Sequence, residues 1–374
     1  MKQLHKALLT ALFTLASTGC GEPTEDEQPT PILEEGESTE DAEQDASVAA
    51  GENLFKHETF RGNGRTCATC HTSGTGTLTP AQARAAYNAN RNGPLFRRID
   101  SDGRLGTSYS KLLNDATVTV DITLHPNVTL ANDPTRRTLT LRRGIPSTVD
   151  APSLDSEIMW DGREATLQTQ ARSALLGHAE VSPSRLPSTD QLNSIAQYEK
   201  TLFSSNAMRD YAKGRGPAPA LPAGRSDSEK RGRAWFAETG VCGSCHGGTL
   251  LNRMTAGNPM GVPANSQFGT AFVSEFNLAG NPMLTFNVTN PDNTVTPVSS
   301  PDPGRMLVTG VAQEANLFKM TSLRNLKNTA PYFHDSSAKT LEQVMVQYKQ
   351  VLDFLGIPNT PQDIADMTAY MYLL

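Results

Sequence analysis

The chain has 374 residues, of which 37% are hydrophobic and 19% are charged, so it is long enough for about two domains with buried cores. Its net charge of −6 is unevenly distributed. Residues 21–50 hold eleven acidic and no basic residues, residues 1–20 hold two lysines, and residues 51–374 therefore carry a net charge of +3. A nearly neutral body excludes a nucleic-acid-binding protein, whose binding surface would be strongly basic.

The first 20 residues have the pattern of an export signal. Lys2 and Lys6 precede a largely apolar run, residues 8–16, which is too short to span a bilayer. The next four residues end at Cys20 and resemble the lipobox of bacterial lipoproteins, in which the cysteine becomes the lipidated first residue. We therefore expect a periplasmic protein with a lipid anchor at Cys20. This anchor is expected to be its only contact with a membrane, which would be the outer membrane. An ordinary secretory signal is the alternative.

Composition divides the rest of the chain into a tether and two domains. Residues 21–47 are acidic and rich in Pro, Glu and Thr, so they are predicted to form a disordered tether, with order beginning near Val48. Residues 213–225 are rich in Gly, Pro and Ala, as is typical of a linker. The linker separates a predicted N-terminal domain, residues 48–212, from a C-terminal domain, residues 226–374.

Hydrophobic periodicity predicts a mainly α fold. One helix is expected over residues 189–203, and another, with Thr360 as N-cap and Pro361 at its first position, is expected to end the chain. Between residues 247 and 320, Val, Thr, Asn and Pro dominate, which favours long loops with a few short strands.

Four of the five cysteines form two Cys-x-x-Cys pairs, and a histidine directly follows each pair. This motif is the attachment site of c-type haem, in which two thiols bond to one porphyrin and the imidazole binds its iron. A redox dithiol and a four-cysteine zinc site are the alternatives, but neither needs the two histidines. We therefore predict two covalently bound haem c groups. The motifs are Cys67, Cys70 and His71, and Cys242, Cys245 and His246.

From about Val48 onward the chain resembles the bacterial di-haem cytochrome c peroxidases, a superfamily that includes the di-haem enzyme that matures tryptophan tryptophylquinone. Trp160, Gln170 and Glu180 keep the family's spacing of ten residues between Trp, Gln and Glu. The resemblance implies two cytochrome c-like haem domains, with Trp160 as an electron or hole relay between the haems. It also implies that Gln170 and Glu180 line the peroxide side of the N-terminal haem, where a carboxylate can move a proton between two oxygens.

A second stretch, residues 318–335, resembles the family segment K-x-P-x-L-R-N…T-x-P-Y-F-H-D-G. The resemblance implies that backbone carbonyls of Thr329 and Pro331 help to hold one calcium ion between the domains. It also implies that His334 is not an iron ligand.

Tyr348, fourteen residues after His334, stands where the peroxidases have a methionine and the quinone-maturing enzyme has a tyrosine. The resemblance therefore implies that Tyr348 completes the coordination of the C-terminal haem. Met345, three residues earlier, is the alternative. The difference matters because an anionic phenolate lowers the potential of a haem, whereas a neutral thioether raises it.

The chain departs from the family at the sixth ligand of the N-terminal haem. The histidine that the peroxidases carry about sixteen residues after the first motif corresponds here to Tyr87. We expect this iron position to be open or held by water, with His125 and His178 as alternative ligands. An open position would allow peroxide to bind without prior reduction.

The resemblance implies a peroxidase that reduces H2O2 to water. Its electrons would come from a periplasmic donor, such as a small cytochrome c or a cupredoxin, and would pass from the C-terminal to the N-terminal haem. Oxidation of a specific protein or organic substrate by long-range hole transfer is an alternative that Tyr348 favours. A non-catalytic di-haem electron carrier is another, although a carrier has no use for Gln170 and Glu180. A homodimer is left open.

Overall fold

The computed structural model describes residues 39–276 and 281–374. The predicted export signal, the lipidation site Cys20 and residues 21–38 of the predicted tether therefore lie outside the described residues. Residues Glu43–Leu374 form one compact unit. Within the described part of the chain, no helix combines the length and the apolar character needed to cross a bilayer.

The regular structure is mostly helical, as the sequence predicted, and long loops join the helices. The α-helices within the described residues are α1 Thr39–His57, α2 Pro80–Ala89, α3 Ser110–Asp115, α4 Ala151–Leu154, α5 Leu167–Gly177, α6 Thr189–Glu199, α7 Asn206–Ala212, α8 Asp227–Phe236, α9 Val241–Cys245, α10 Val273–Phe276, α11 Met306–Thr309, α12 Leu341–Phe354 and α13 Pro361–Met371. Helices α6 and α13 lie where periodicity predicted them. Thr360 caps α13 by accepting a hydrogen bond from the backbone N–H of Asp363.

Helix α1 begins at Thr39, ahead of Val48, where order was expected to begin. Residues 39–47 of the predicted tether are therefore helical. They include two Ala, two Glu and one Gln, which have high helix propensity. Ser47 is tied to the body by a 3.3 Å hydrogen bond between its hydroxyl and that of Ser194 on α6. The acidic composition that indicated a tether thus also suits the first turns of a helix.

Short strands form small antiparallel sheets among the described residues. The strands are β1 Thr117–Thr123, β2 Val128–Leu130, β3 Thr138–Gly144, β4 Phe268–Gly269, β5 Leu284–Thr289, β6 Val295–Ser300 and β7 Phe318–Lys319. Strand β1 pairs with β3 and β4 with β7, while the third sheet has the order β2-β5-β6. In this sheet Val128 pairs with Val288, so a strand that precedes the irregular segment 213–225 pairs with one that follows it.

Strands β1, β2, β3 and β5 share one hydrophobic core. Alternate residues of β1 and β3 point into it, including Val120, Ile122, Leu139 and Leu141, as expected for strands with one buried face. Phe286 of β5 is fully buried in the same cluster. This core supports the loop after β1, which contributes to a cavity described below.

One pair of helices in each half of the chain crosses at a glycine. A Cβ atom on Gly51 of α1 would lie 1.9 Å from the carbonyl oxygen of Ser194 on α6. A Cβ atom on Gly232 of α8 would lie 2.1 Å from the carbonyl oxygen of Asp366 on α13. Only glycine permits such a close approach of two backbones. Both glycines belong to the segments that precede the two Cys-x-x-Cys-His motifs.

The same two helix pairs also share an aromatic contact. Phe55 packs on Tyr198 with ring centroids 5.3 Å apart, and Phe236 packs on Tyr370 at 5.5 Å. Both pairs are tilted, an arrangement that aromatic rings favour. The two halves of the chain therefore repeat one helix crossing, each next to its own motif.

Candidate haem sites

The first motif presents its imidazole with one nitrogen free. Cys67 opens a short 3-10 helix, Cys67–Thr69, and His71 follows directly after the second cysteine. The Nδ1 atom of His71 lies 2.8 Å from the carbonyl oxygen of Gly76. A carbonyl oxygen only accepts hydrogen bonds, so Nδ1 carries the proton and the lone pair of Nε2 is available to a metal.

The second motif repeats this arrangement. Its cysteines lie on α9, and His246 follows the last residue of that helix. The Nδ1 atom of His246 lies 3.1 Å from the carbonyl oxygen of Leu251. In both motifs the accepting carbonyl is five residues after the histidine. Burial lowers the pKa of both imidazoles, which keeps them neutral, as a metal ligand requires.

The four thiols do not have the properties of the alternative sites. All four are free cysteines. Burial raises the pKa of Cys67 and Cys242 to about 12 and that of Cys70 to about 11, whereas reactive dithiols have a lowered pKa. Among the described residues, no group of three or more His, Cys, Asp or Glu side chains is placed to hold a metal ion. The structure thus favours neither a redox dithiol nor a four-cysteine zinc site.

The second motif lines a cavity of about 250 Å³. Cys242, Cys245 and His246 line it together with Tyr348 of α12. The remaining walls are mainly apolar, and include Phe236, Val241, Met254, Val344, Met345, Leu352, Met367 and Met371. Two half-buried thiols, a neutral imidazole and an apolar lining together form a donor set suited to haem c.

Tyr348 contacts the imidazole of His246 in the wall of this cavity. Its hydroxyl oxygen lies 3.2 Å from Nε2 of His246. Burial raises the pKa of the Tyr348 phenol, so an anionic phenolate there needs a neighbouring cation such as ferric iron. Met345 also lines the cavity, but the atom opposite the imidazole nitrogen is the phenol oxygen. Ligation of a haem iron by Tyr348 therefore stays a prediction.

Trp160 lines the same cavity and is held at both its side chain and its backbone. Its indole Nε1 donates a 2.7 Å hydrogen bond to the carbonyl of Gly144, the last residue of β3. Its carbonyl accepts a 2.7 Å hydrogen bond from the backbone N–H of Lys319 on β7. Thr77, which follows the first motif, is another cavity residue. The indole is thus fixed beside the second haem site in a cavity that residues near the first motif also line.

A buried charge network lies next to Trp160. Arg143 of β3 donates at 2.7 Å and 2.8 Å to the two carboxylate oxygens of Asp302 and at 2.6 Å to Asp161. All three side chains are no more than 1% exposed. Arg163, which is 17% exposed, adds a 2.9 Å bond to Asp161. The network fixes the Trp160–Arg163 segment against β3, and Asp302 is a member that the sequence did not reveal.

Three of the predicted residues of the first haem site come together around a second cavity, of about 490 Å³. Gln170 and His178 enter it from α5 and its end, and His125 enters it from the loop after β1. Burial, opposed by Asp100 and reinforced by Arg65, Arg163 and His71, lowers the pKa of His178 to about 4. His178 is therefore neutral at pH 7.

Hydrogen bonds through Asn127 hold the His125 side chain at the second cavity. Its Nδ1 atom forms a short hydrogen bond with the side-chain oxygen of Asn127. The Asn127 amide in turn donates to the carbonyls of Thr289 and Gly310 at 2.8 Å and 2.9 Å. These contacts orient the imidazole, and they leave open whether His125 or His178 is a ligand.

Glu180 lies outside the set of described residues that line the second cavity. It is exposed, and its carboxylate accepts a 2.8 Å hydrogen bond from the side-chain amide of Asn63. The same amide donates at 3.0 Å to the carbonyl of His178. Asn63, four residues before Cys67, therefore ties the Glu180 loop to the first motif. Asn63 was not among the residues predicted from the sequence. Its position in a Gly-Asn-Gly turn was the one sequence feature that could have indicated it.

Tyr87, at the position of the family's histidine, packs into an aromatic cluster. Its ring lies 5.0 Å from that of Phe96 and 6.5 Å from that of Tyr109. This cluster belongs to the hydrophobic core that also contacts Cys70. Thr329 and Pro331 line the cavity of the second motif, and their role in binding calcium stays a prediction.

Comparison with known sequences yields relatives of one kind. The family model for di-haem cytochrome c peroxidases matches residues 45–213. Cytochrome c peroxidase Ccp of Escherichia coli strain K12 is 26% identical over 259 residues, which are 60% of this chain and 47% of that protein. Cytochrome-c peroxidase IdrP2 of Denitromonas iodatirespirans is 30% identical over 170 residues, which are 42% of this chain and 39% of that protein. The chain thus spans less than half the length of these two relatives.

Among solved structures, the chain is similar to a MauG-like protein associated with microbial copper homeostasis. The TM-score is 0.50 and the sequence identity 17%, over 91% of this chain and 90% of the other. At this identity the likeness concerns the fold, which is mostly helical with a few short strands. The match to the family model includes the first motif, Trp160, Gln170 and Glu180. The predicted resemblance of this chain to the di-haem cytochrome c peroxidase family is therefore confirmed.

Proposed function

We propose that this protein is a di-haem c-type peroxidase that reduces H2O2 to water with electrons from an exported donor, such as a small cytochrome c or a cupredoxin. The observation that carries the proposal is the repeated geometry of the two Cys-x-x-Cys-His motifs. Each places a neutral imidazole with Nδ1 on a backbone carbonyl, at 2.8 Å for His71 and 3.1 Å for His246. The relatives named cytochrome c peroxidases support the reaction.

When bound, the haems supply redox-active iron, and the side chains of this chain position and protonate the substrate. Glu180 accepts a proton from one peroxide oxygen at its carboxylate and returns it to the other oxygen as the bond between them breaks. Gln170 orients the peroxide through its amide, and Asn63 holds the carboxylate of Glu180 by the 2.8 Å hydrogen bond. Trp160 relays electrons from the site of His246 toward that of His71.

The finer features of this proposal come from the sequence. We infer export to the periplasm and a lipid anchor at Cys20. We also infer a calcium ion at Thr329 and Pro331, and two cytochrome c-like domains on either side of residues 213–225. Electron entry at the second motif would make the first motif the site of peroxide reduction.

Peroxide consumption by the purified di-haem protein with a reduced small cytochrome c tests the proposal. Glu180→Gln should lower kcat by about 10²–10⁴-fold, because that is the usual contribution of a positioned general acid–base. The matched control is Glu238→Gln, at an exposed glutamate in the other half of the chain, which should leave kcat unchanged. Turnover of the wild-type protein no faster than that of free haem would reject the proposal.

The position of Tyr348 opposite His246 supports a second candidate function, the oxidation of a protein or organic substrate by long-range hole transfer. A phenolate ligand would stabilise oxidised iron. The second haem would then share oxidising equivalents with the first haem, whereas in a simple peroxidase it would only store one incoming electron. Electron paramagnetic resonance of wild-type and Tyr348→Phe protein separates the candidates. Histidine–methionine ligation together with an unchanged spectrum in the variant would remove the hole-transfer candidate.

A further inference from the structure

The proposed mechanism leaves one buried acid near the first motif without a role. Glu199, the last residue of α6, is only 4% exposed. Leu192, Ile195, Ala196 and Glu199 have the spacing i, i+3, i+4 and i+7, so the carboxyl lies on the apolar face of this helix. Both Ile195 and Ala196 are buried. A carboxylic acid thus occupies a position where an apolar core residue is expected.

The carboxyl of Glu199 has nothing to compensate a negative charge. Its Oε2 atom is buried and, among the described residues, has no hydrogen-bond partner. The partial negative charge at the C-terminus of α6 also disfavours a carboxylate there. Burial raises the pKa of Glu199 to about 8. The side chain is therefore mostly a neutral acid at pH 7, because an isolated buried charge is costly.

The charged groups on the surrounding elements are exposed or have other partners. Lys56 of α1 pairs with Glu52 on the same helix. Asp150, which precedes α4, accepts a 2.9 Å hydrogen bond from the backbone N–H of Ser204. The one charged residue of α5, Arg172, is exposed, and so is Lys200. A change of charge close to Glu199 would therefore act on a carboxyl that none of these groups stabilises.

Glu199 lies in the same part of the core as the first motif. Cys67 packs against the hydrophobic cluster that holds Ile195 and Tyr198. Ile195 is one turn before Glu199 on the same face of α6, and Tyr198 directly precedes Glu199. In agreement with this placement, the charge of Glu199 adds to burial in raising the pKa of the Cys67 thiol. A haem bonded to Cys67 would interact with Glu199 through an interior that screens charges weakly.

We propose that Glu199 takes up a proton when the haem at the first motif is reduced and releases it when that haem is oxidised. The inference rests on the proposed attachment of a haem at this motif. Reduction removes one positive charge from the iron, which favours the neutral acid over the carboxylate. One electron from the donor goes to the iron, and one proton from solvent bonds to a carboxylate oxygen of Glu199. Both leave again on oxidation, so the protein interior gains no net charge.

Redox titrations of the purified di-haem protein at several pH values, followed by haem absorbance, test this inference. In wild-type protein one of the two midpoint potentials should fall as the pH rises toward about 8. The steepest slope should approach a tenfold change in the redox equilibrium per pH unit, which is about 59 mV for one electron. Glu199→Gln should remove this dependence and leave the other potential unchanged, because an amide does not ionise. Asp190→Asn, which removes an exposed carboxylate from the first turn of the same helix, should keep the wild-type slope.

Infrared difference spectra between reduced and oxidised protein give a second readout, which needs no variant to show the proton. Reduction of wild-type protein should increase the carbonyl stretch of a protonated carboxylic acid, and this band should shift in D2O. Glu199→Gln should lack the band, and Asp190→Asn should keep it.

The outcomes separate the inference from the proposed function. If Glu199→Gln keeps the wild-type slope, or if wild-type protein gains no carboxylic acid band, proton uptake at Glu199 is wrong, while turnover with H2O2 still supports the peroxidase proposal. If only one haem titrates and the first motif carries none, the di-haem proposal is wrong and the inference falls with it.

Discussion

The buried network around Arg143 should make a large contribution to stability. Replacing Arg143 with Met removes the partner of two carboxylates that are 0% and 1% exposed, those of Asp161 and Asp302. Loss of one member of a buried ion pair typically costs about 3–5 kcal/mol, because the remaining charge stays buried without compensation. We therefore expect Arg143→Met to lower the free energy of unfolding by about this amount.

The control is Arg163→Met, which removes a second arginine from the same carboxylate of Asp161. Arg163 is 17% exposed, and Asp161 keeps its 2.6 Å bond to Arg143. Its loss should therefore cost only about 1 kcal/mol. Thermal unfolding of the di-haem proteins, followed by circular dichroism, measures both changes. For Arg143→Met the expected cost corresponds to a fall in Tm of roughly 4–7 °C for a unit of this size.

A double substitution tests the reason for the loss. Arg143→Met combined with Asp302→Asn removes one of the uncompensated charges, and should therefore be more stable than Arg143→Met alone. Two results would contradict this explanation. One is an equal fall in Tm for Arg143→Met and Arg163→Met. The other is a Tm for the double variant that is no higher than that of Arg143→Met alone.

Three further predictions concern ligation, attachment and pH. Tyr348→Phe should convert the second haem to a high-spin signal in electron paramagnetic resonance, and an unchanged spectrum would show that Tyr348 is not a ligand. Cys242→Ala combined with Cys245→Ala should halve the haem content in a pyridine haemochrome assay, and a content of two haems per chain would contradict attachment at this motif. Burial opposes ionisation of Asp161, but its arginine partners outweigh burial and hold its pKa below the ordinary value. The stability that this gives is present above the unfolded pKa, near 4, and is lost as the pH falls further, so Asp161→Asn should flatten the decline of Tm on acidification.

Local patterns predicted the helices and the motifs well. The Thr360 cap and the apolar spacing of α13 are properties of consecutive residues, so the sequence alone could indicate them. The role of Gly51 depends on the close approach of α1 to α6, and that of Gly232 on the close approach of α8 to α13. No local sequence pattern encodes these approaches. The spacing of ten residues likewise located Gln170 and Glu180, yet it did not show that a single cavity holds Gln170 and not Glu180.

Contacts between distant residues account for what the sequence could not provide. Asp302 lies far along the chain from Arg143, and its partnership follows from the packing of β3 against the segment that leads into α11. The bond between Asn63 and Glu180 joins residues 117 positions apart. In the same way, the helical start of α1 escaped prediction because acidic composition alone does not distinguish a tether from the first turns of a helix.

The sheet β2-β5-β6 has a consequence for how the protein is made. The ribosome makes Val128 well before its partner Val288. Until β5 has been made, β2 of the nascent polypeptide is therefore a strand with an unpaired edge. A fragment truncated near residue 213 would keep that edge bare and would be prone to self-association. Completion of this sheet, and with it closure of the core it covers, must therefore follow synthesis of β5 and β6.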